Sequence, residues 1–434
     1  MLHWLLTLDI AEGVVPWTVW GIATAAVLVL IARRPTARWV RRALIAVLAG
    51  GVLGFLTAVL GEAWNLFGGA LPGSARWWAA GAFAAVALGI VSLWDSRWWH
   101  KVTAIILVIA ALLSGTIGIN AAFGLDRTPG ELLGISTHAQ AGVFPAPDPH
   151  ATSTVPLAAS WKPPADMPKK SAVFSLSGDK AIPSTAGFVP RDGTIILPPA
   201  ARVANPPALP VVVQMMGLPG NPDSSAVKDV LDKFAAEHDG LGPIVIIADQ
   251  LGEQSQNPGC ADTKTYGGVS TYFNTDIPQY IRTHLRVLQD PQYWTISGYS
   301  NGGACSFLYG AEHPEIWGNI IDVSGERWPG YGDEKSVLDE ALKGDKAAFE
   351  ANKPESVLLR HPGAYTDRRA VFTAGSEDKK YGPPAKAAAD SASAAGFDAT
   401  FYLVQGASHT GKALDDGLAE AFRQLAPRWG LVTQ

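Results

Sequence analysis

Four long apolar segments fill the first 125 residues of this 434-residue chain. They cover 15–31, 43–60, 77–94 and 102–123, and each approaches the ~20 residues that a helix needs to cross a bilayer. Tryptophans stand at the segment edges, where the membrane–water interface favours them. Buried helices of a soluble protein are the alternative, but four nearly uncharged segments in succession do not fit it. We therefore predict a membrane domain over 1–125 with four transmembrane helices in a lipid bilayer.

Basic residues distinguish the loops between these segments. Arg97 and Lys101 lie between the third and fourth segments, and Arg76 is alone between the second and third. Five arginines lie between the first and second segments: Arg33, Arg34, Arg38, Arg41 and Arg42. Because basic loops stay in the cytoplasm, we expect both ends of the domain to face outward. The prediction is a multi-pass cell-membrane protein whose C-terminal part is extracytoplasmic.

The chain changes character twice after the membrane segments. Residues 126–170 are rich in Pro, Ala, Ser and Thr without apolar periodicity, which predicts a semi-extended linker. From 171 to 434, short apolar runs alternate with helical patterns, which predicts an α/β domain with a mostly parallel sheet and helices on both faces. Such a sheet carries its chemistry at the carboxyl ends of its strands. The net charge of −5 makes nucleic acid an unsuitable partner.

The segment Gly298-Tyr299-Ser300-Asn301-Gly302 joins an apolar strand to a helix of small residues. A serine hydroxyl becomes a useful nucleophile when a sharp turn holds it beside a base and amide donors. Glycines two residues before and after remove β-carbons that would collide in that turn. The strand–turn–helix context predicts Ser300 as a nucleophile, and a glycine-rich turn with a surface serine is the alternative.

An acid and a histidine follow the serine in the required chain order of nucleophile, acid and histidine. Asp378 comes just after the predicted strand 370–374, and Glu377 beside it is the alternative acid. His409 follows the predicted strand 400–404 and is the only histidine after Asp378. The acid would orient His409 as the base, whereas a solvated turn is the bland alternative for either carboxylate.

Two backbone amides are candidates for an oxyanion hole, which needs two donors. Asn301 follows the nucleophile directly. The turn after strand 211–216 offers the other donor, and Leu218 is the choice because Pro219 has no N–H. An ordinary Pro-Gly turn is the alternative for the second site.

The chain has two cysteines, Cys260 and Cys305. Outside the cell an even number favours a disulfide, which would hold the 250–271 loop over the site; buried free thiols are the alternative. Neither cysteine has the spacing of a metal site. We expect no metal and no cofactor.

These motifs identify a family resemblance over residues 171–430. The chain resembles the esterase D / antigen 85 (mycolyltransferase) family of α/β-hydrolases, and its four-helix front is similar to membrane-anchored actinobacterial esterases. The segments that carry the resemblance are Leu197-Pro198-Pro199, Met216-Gly217-Leu218, Asn274-Thr275-Asp276-Ile277-Pro278, Gly298-Tyr299-Ser300-Asn301-Gly302-Gly303 and Gly406-Ala407-Ser408-His409. The resemblance implies an acyl-enzyme on Ser300. Met216 stands where many esterase D members have histidine.

The predicted function is a membrane-anchored extracytoplasmic serine esterase or acyltransferase that acts on a cell-envelope ester. Its substrate would be an ester or acyl donor, and water or a glycolipid or sugar hydroxyl would accept the acyl group. A non-catalytic binding or scaffold module on the same fold is the alternative. A third hypothesis assigns transport or sensing to the helices. The sequence shows no intramembrane charge pair or broken-helix repeat for it, so we interpret the helices as an anchor.

Overall fold

The computed structural model describes residues 2–32, 36–64, 71–94, 96–153 and 155–432. The chain forms two compact units, Met1–Thr137 and His138–Gln434. Arg33 and Arg34, two of the arginines used for the predicted topology, lie outside the described residues.

Four long helices make up most of the first unit. They are α1 Val14–Ile31, α2 Ala37–Ala63, α3 Gly73–Val91 and α4 Trp98–Phe123. Two short helices, Leu2–Leu6 and Pro129–Leu132, accompany them. All four long helices are long and apolar enough to cross a membrane, and at most 44% of the most apolar stretch of any of them is buried. Most of the side chains in these apolar stretches are therefore not buried within the unit.

Helix α2 begins earlier than the apolar run predicts. Thr36 caps it by accepting the backbone N–H of Trp39 (3.2 Å), so Arg38, Arg41 and Arg42 lie in its first turns and not in a loop. Arginine is a good helix former, and its long side chain reaches water from a helix end. At the adjoining ends of α2 and α3, Glu62 forms an ion pair with Arg76 (2.5 Å).

The residues of the predicted linker divide between the two units. Those up to Thr137 belong to the first unit, and those from His138 belong to the second. Gln140 pairs with Ser175 in a parallel bridge, and the indole N–H of Trp161 donates to the carbonyl of Asp239 (2.9 Å). The described residues of this segment after Thr137 thus make contacts with the rest of the second unit. Irregular contacts of this kind leave no apolar period in the sequence.

An eight-stranded sheet forms the centre of the second unit, in the order β1-β2-β4-β3-β5-β6-β7-β8. The strands are β1 Ala172–Leu176, β2 Gly193–Leu197, β3 Val211–Met215, β4 Ile244–Ile247, β5 Trp294–Tyr299, β6 Asn319–Val323, β7 Arg369–Gly375 and β8 Asp398–Val404. Strand β2 is antiparallel to β1 and β4, and all other neighbours are parallel. The predicted mostly parallel sheet is confirmed.

Two groups of helices cover this sheet. Helices α5 and α11 pack together, and α7, α9 and α10 form the second group. The helices are α5 Ser225–Glu237, α6 Ile277–His284, α7 Asn301–Glu312, α8 Lys346–Ala351, α9 Pro354–Arg360, α10 Gly382–Ala395 and α11 Gly411–Leu425. Shorter helical turns are Leu157–Ser160, Gly178–Lys180, Pro199–Arg202, Val269–Thr271, Tyr272–Asp276, Pro291–Tyr293 and Ser336–Ala341, and Asp262–Thr263 pairs with Gly267–Gly268. Because both faces are covered, β3 to β6 are buried throughout.

Candidate active site

Ser300 lies in the turn between β5 and α7, with φ 56° and ψ −117°. This backbone conformation is unfavourable for a residue with a side chain and is found where surrounding structure enforces it. A β-carbon at Gly298 would come within 1.9 Å of the carbonyl oxygen of Gly302, and one at Gly302 within 2.6 Å of that of Met216. The two glycines are therefore required by the packing of the turn.

Three predicted residues meet at the carboxyl edge of the sheet. The Nε2 atom of His409 lies 2.9 Å from Ser300 Oγ, and its Nδ1 atom lies 2.8 Å from Asp378 Oδ2. Ser300 and Asp378 are buried, 6% and 7% exposed respectively. The three side chains follow strands β5, β7 and β8. One imidazole thus bridges a hydroxyl and a carboxylate.

The surroundings of Asp378 determine its protonation. Burial acts to raise the pKa of its carboxyl, but hydrogen bonds and the charge of His409 outweigh burial and lower that pKa below its ordinary value of 3.8. Backbone N–H groups of Tyr381 (2.9 Å) and Lys380 (3.1 Å) donate to Oδ1. Because Asp378 is ionised near neutral pH, Nδ1 of His409 carries the proton, and Nε2 can accept the proton of Ser300.

Glu377, the alternative acid, is placed differently. Its side chain is exposed, and its backbone N–H donates to the carbonyl of Ala407 (2.8 Å). The carboxylate that pairs with His409 is that of Asp378.

Two aromatic rings lie against His409. The ring of Tyr299 stacks on the imidazole at 5.0 Å, and the ring of Tyr381 lies 4.3 Å from it. These contacts limit rotation of the imidazole about its side-chain bonds. Neither tyrosine was predicted from the sequence as part of the site. Tyr299 lies inside the serine motif and Tyr381 three residues after Asp378, but no spacing rule predicts that both rings reach the same histidine.

The predicted oxyanion donors lie on two segments that meet beside Ser300. Asn301 is the first residue of α7, and Leu218 belongs to the turn after β3. A β-carbon at Gly217 would lie 3.4 Å from the β-carbon of Ser300, so that turn passes directly beside the serine. Within the described residues, the backbone N–H groups of Leu218 and Asn301 donate to no protein acceptor. Both amides are available to a ligand oxygen.

A polar network holds the turn after β3 in place. Gln250 donates from Nε2 to the carbonyl of Met216 (2.6 Å) and to Asn301 Oδ1 (3.3 Å). The guanidinium of Arg191 binds both carboxylate oxygens of Asp249 (2.6 and 3.0 Å) and donates to the carbonyl of Gly220 (2.9 Å). These residues were not predicted from the sequence, although polar residues soon after the buried strand β4 indicate a functional edge of the sheet.

Cys260 and Cys305 are joined by a disulfide with a Cα–Cα distance of 5.6 Å. The bond ties the loop after β4 to α7, the helix that begins at the nucleophile turn. Asn352, from the segment between β6 and β7, donates to the carbonyl of Gly259 in the same loop (2.6 Å). The two segments are therefore linked beside the site. In the part of the chain that the structure describes, no group of three or more His, Cys, Asp or Glu side chains is arranged to hold a metal ion.

Two further carboxyls are buried behind the site. Burial raises the pKa of Asp322, in β6, to about 8, and that of Glu326, just after β6, also to about 8. A backbone hydrogen bond from Gly325 acts to lower the pKa of Asp322 but does not outweigh burial, and Glu326 accepts the backbone N–H of Gly330 (3.1 Å). The raised pKa values favour the protonated form of both carboxyls near pH 7.

Comparison with known proteins identifies the family to which this chain belongs. Residues 190–411 match the family model Esterase, which is described as "Putative esterase". The chain belongs to this esterase family. An uncharacterized protein of Corynebacterium glutamicum is 38% identical over 256 residues, which make up 57% of this chain and 60% of that protein. The chain therefore spans less than two thirds of this relative's length.

Several solved structures of esterases and hydrolases align with part of this chain at low identity. A ferulic acid esterase is 18% identical with a TM-score of 0.47, and the overlap covers 60% of this chain and 98% of that one. An S-formylglutathione hydrolase from Agrobacterium tumefaciens is also 18% identical with a TM-score of 0.47, covering 60% and 95%. A second S-formylglutathione hydrolase, from Staphylococcus aureus, is 16% identical with a TM-score of 0.44, covering 59% and 98%.

Proposed function

We propose that this protein is a membrane-anchored serine esterase that works through Ser300, Asp378 and His409. The observation that carries the proposal is the bridge from Ser300 Oγ through the imidazole of His409 to Asp378, with contacts of 2.9 and 2.8 Å. Membership of the esterase family supports a carboxylic ester as the substrate class.

In the first half of the reaction, Ser300 Oγ attacks the ester carbonyl while its proton moves to Nε2 of His409. The ionised Asp378 stabilises the imidazolium, and the amides of Leu218 and Asn301 donate to the oxyanion. The carbon–oxygen bond to the alcohol then breaks. The leaving oxygen takes the proton from Nε2, and the acyl group remains on Ser300.

In the second half, a hydroxyl compound attacks the acyl-enzyme and gives its proton to His409. Water as the acceptor releases a carboxylic acid, whereas a sugar or glycolipid hydroxyl receives the acyl group as a new ester. The proton on Nε2 then returns to Ser300 Oγ. The proposal includes both outcomes, because the two reactions share the acyl-enzyme and every residue named above.

The proposal also places the second unit outside the cell, where it would act on an ester of the cell envelope. Four helices that are long and apolar enough to cross a membrane support an anchored protein. The arginines near the start of α2 support a cytoplasmic location for that end of the helix. With an even number of crossings, both ends of the membrane unit would then face outward.

Labelling of intact cells with a membrane-impermeant fluorophosphonate tests the nucleophile and the topology together. We expect wild type to be labelled and Ser300→Ala to be unlabelled, because the probe reacts only with an activated serine. Ser393→Ala changes an exposed serine on α10 and is the matched control, which should label like wild type.

Other labelling patterns separate the parts of the proposal. Labelling only after cell lysis would contradict the outward topology and leave the serine assignment standing. Equal labelling of wild type and Ser300→Ala would contradict the assigned nucleophile. A folded, membrane-inserted protein that resists labelling in both conditions would favour the non-catalytic binding module.

A further inference from the structure

The imidazole of His409 has two kinds of neighbour. Its nitrogens lie 2.9 Å from Ser300 Oγ and 2.8 Å from Asp378 Oδ2. The ring centroids of Tyr299 and Tyr381 lie 5.0 and 4.3 Å from the imidazole centroid, and the ring planes are inclined to it by 25° and 35°. Rings that are this close and this near to parallel overlap by their faces and not by their edges. The imidazole is therefore in contact with the faces of two tyrosine rings.

These faces distinguish between the two charge states of the imidazole. The face of an aromatic ring is its negative side, and it attracts a cation that lies within about 6 Å of the ring centroid. The attraction acts on the imidazolium, which forms when His409 takes the proton of Ser300. A contact that is stronger in the charged state than in the neutral state lowers the barrier to the proton transfer.

Both rings are shielded from water. Tyr299 is 3% exposed and Tyr381 is 2% exposed. Cation–π attraction is stronger where the partners are desolvated than at an exposed site. The buried position of both tyrosines therefore increases the attraction that their rings can exert on His409.

The surrounding backbone fixes the positions of both rings. Tyr299 is the last residue of the buried strand β5, and a β-carbon at Gly217 would lie 3.3 Å from Cδ1 of its ring. Tyr381 directly precedes α10, and its backbone N–H donates to Asp378 Oδ1 (2.9 Å). The two rings are thus held in place before any charge develops on the imidazole, as preorganised stabilisation requires.

The hydroxyl of Tyr299 does not account for this side chain. It is buried and has no hydrogen-bond partner within the described residues, and burying an unpaired hydroxyl costs free energy. The favourable contacts of Tyr299 are therefore those of its ring. The Tyr381 ring is shared with a second cation, because Lys380 Nζ lies 4.9 Å from its centroid. Tyr299 is thus the better position for a test.

We propose that Tyr299 and Tyr381 are positioning residues whose ring faces stabilise the imidazolium of His409. This inference rests on the proposed function, since the charge on the imidazole affects turnover only if His409 is the base. It adds to the three proposed catalytic residues a pair of aromatic rings that act through one of them.

Replacing Tyr299 in the full-length protein by phenylalanine, by phenylalanines with one, two or three ring fluorines, and by leucine tests the ring face. Tyr299→Phe should keep kcat on a p-nitrophenyl ester within about twofold of wild type, because no hydrogen bond is lost. Fluorine withdraws negative charge from the face, so kcat should fall with each fluorine, and Tyr299→Leu should lower it about tenfold. KM should not change, because the contact acts only when charge develops.

Tyr309 is the matched control. It is 0% exposed, stacks on Phe273 at 5.4 Å and has a buried hydroxyl without a partner within the described residues. The same fluorinated series at Tyr309 should leave kcat unchanged. A kcat that does not vary with fluorination at Tyr299, or that varies equally at Tyr309, would overturn the proposal and leave only a packing role for the Tyr299 ring.

A second measurement needs no substrate. NMR of histidine-labelled protein at pH 6, with the His409 signal assigned by its loss in His409→Gln, gives the protonated fraction of this imidazole. That fraction should fall with each fluorine at Tyr299 and be lowest in Tyr299→Leu. An equal fraction in all variants would overturn the proposal. A protein that shows the expected fractions but hydrolyses no ester would contradict the proposed function and leave the ring contact standing.

Discussion

Large aliphatic side chains differ in their exposure between the two units of this chain. In the second unit Ile195, Val212 and Ile296 are 0% exposed. In the first unit Leu44 and Leu48 are 59% and 68% exposed. The second unit collects its apolar side chains between a sheet and its helices, whereas the first presents them outward and packs through small residues.

The difference indicates that the exposed fraction of an apolar side chain depends on the surrounding solvent as well as on the packing of the core. In water, apolar side chains gain free energy by leaving the surface. In a bilayer, lipid tails are as apolar as leucine, so this gain disappears and only packing and hydrogen bonds hold helices together. The proposed ester hydrolysis, which needs water, therefore suits the second unit, and the apolar helices of the first unit suit lipid contact.

The largest effect should come from removing the proposed base of the second unit. His409→Ala should lower kcat on a p-nitrophenyl ester by about 10⁴- to 10⁶-fold, because both proton transfers pass through its imidazole. Circular dichroism should be unchanged. His313→Ala is the control, because His313 is a partly exposed histidine just after the end of α7 that is opposite to Ser300. A comparable loss in both variants would contradict the assignment.

The next effect separates the two neighbouring acids. Asp378→Asn should lower kcat by about 10³- to 10⁴-fold, because an amide neither orients the imidazole in the required tautomer nor stabilises its charge. Glu377→Gln should stay within about twofold of wild type, since the Glu377 side chain is exposed. Steady-state kinetics on purified full-length protein measure both, and the reverse ranking would make Glu377 the acid.

A matched pair of arginine substitutions tests the contrast between the units directly. Leu48→Arg should cost about 2.5–3.5 kcal/mol, because it places a charge near the middle of a proposed transmembrane helix. Leu359→Arg, at a residue that is 84% exposed in α9, should cost less than about 0.5 kcal/mol. Quantitative blots of the folded membrane fraction compare them. Equal yields would contradict a lipid environment for α2.

The smallest expected effect concerns Asp322, a carboxyl in the interior of the second unit, where burial disfavours the charged form. Between the ordinary pKa of 3.8 and the raised value of about 8, folded Asp322 holds a proton that the unfolded chain has lost. Stability therefore falls as pH rises through this window. Asp322→Asn should reduce that slope by about 1.4 kcal/mol per pH unit.

Urea unfolding of the full-length protein in detergent, followed by near-UV circular dichroism from pH 5 to 8, measures the slope. Glu326→Gln is a companion variant whose effect on the slope should be similar, because its folded-state pKa is also raised to about 8. An unchanged slope in Asp322→Asn would show that this carboxyl is ionised when folded.

Periodicity predicted the strands of the second unit closely. Strand β7, for example, covers Arg369–Gly375, and the predicted residues were 370–374. The residues of the candidate site could be proposed from the sequence because Ser300, Asp378 and His409 each follow a strand. Strands β5, β6, β7 and β8 are successive neighbours in the sheet. Chain order and strand ends alone bring such residues to one edge.

Chain order and strand ends do not predict the contacts between loops. The hydrogen bonds of Arg191 to Asp249 and Gly220 join segments that are separated in sequence, and Tyr381 reaches His409 only because both turns fold toward Ser300. Composition also did not predict the hydrogen bonds made by the proposed linker. Proline-rich composition excludes regular helices, but it does not exclude hydrogen bonds such as that of Trp161 to Asp239.

The bond between Cys260 and Cys305 makes the history of a protein sample an experimental variable. Reducing cytosol keeps thiols free, whereas an oxidising compartment allows the crosslink. Material made in the first setting holds the loop after β4, with Gln250 at its start, by hydrogen bonds alone. Two laboratories that express the same gene in different compartments would then assay two different enzymes. The difference between their kcat values would measure how much the disulfide contributes to the arrangement of the site.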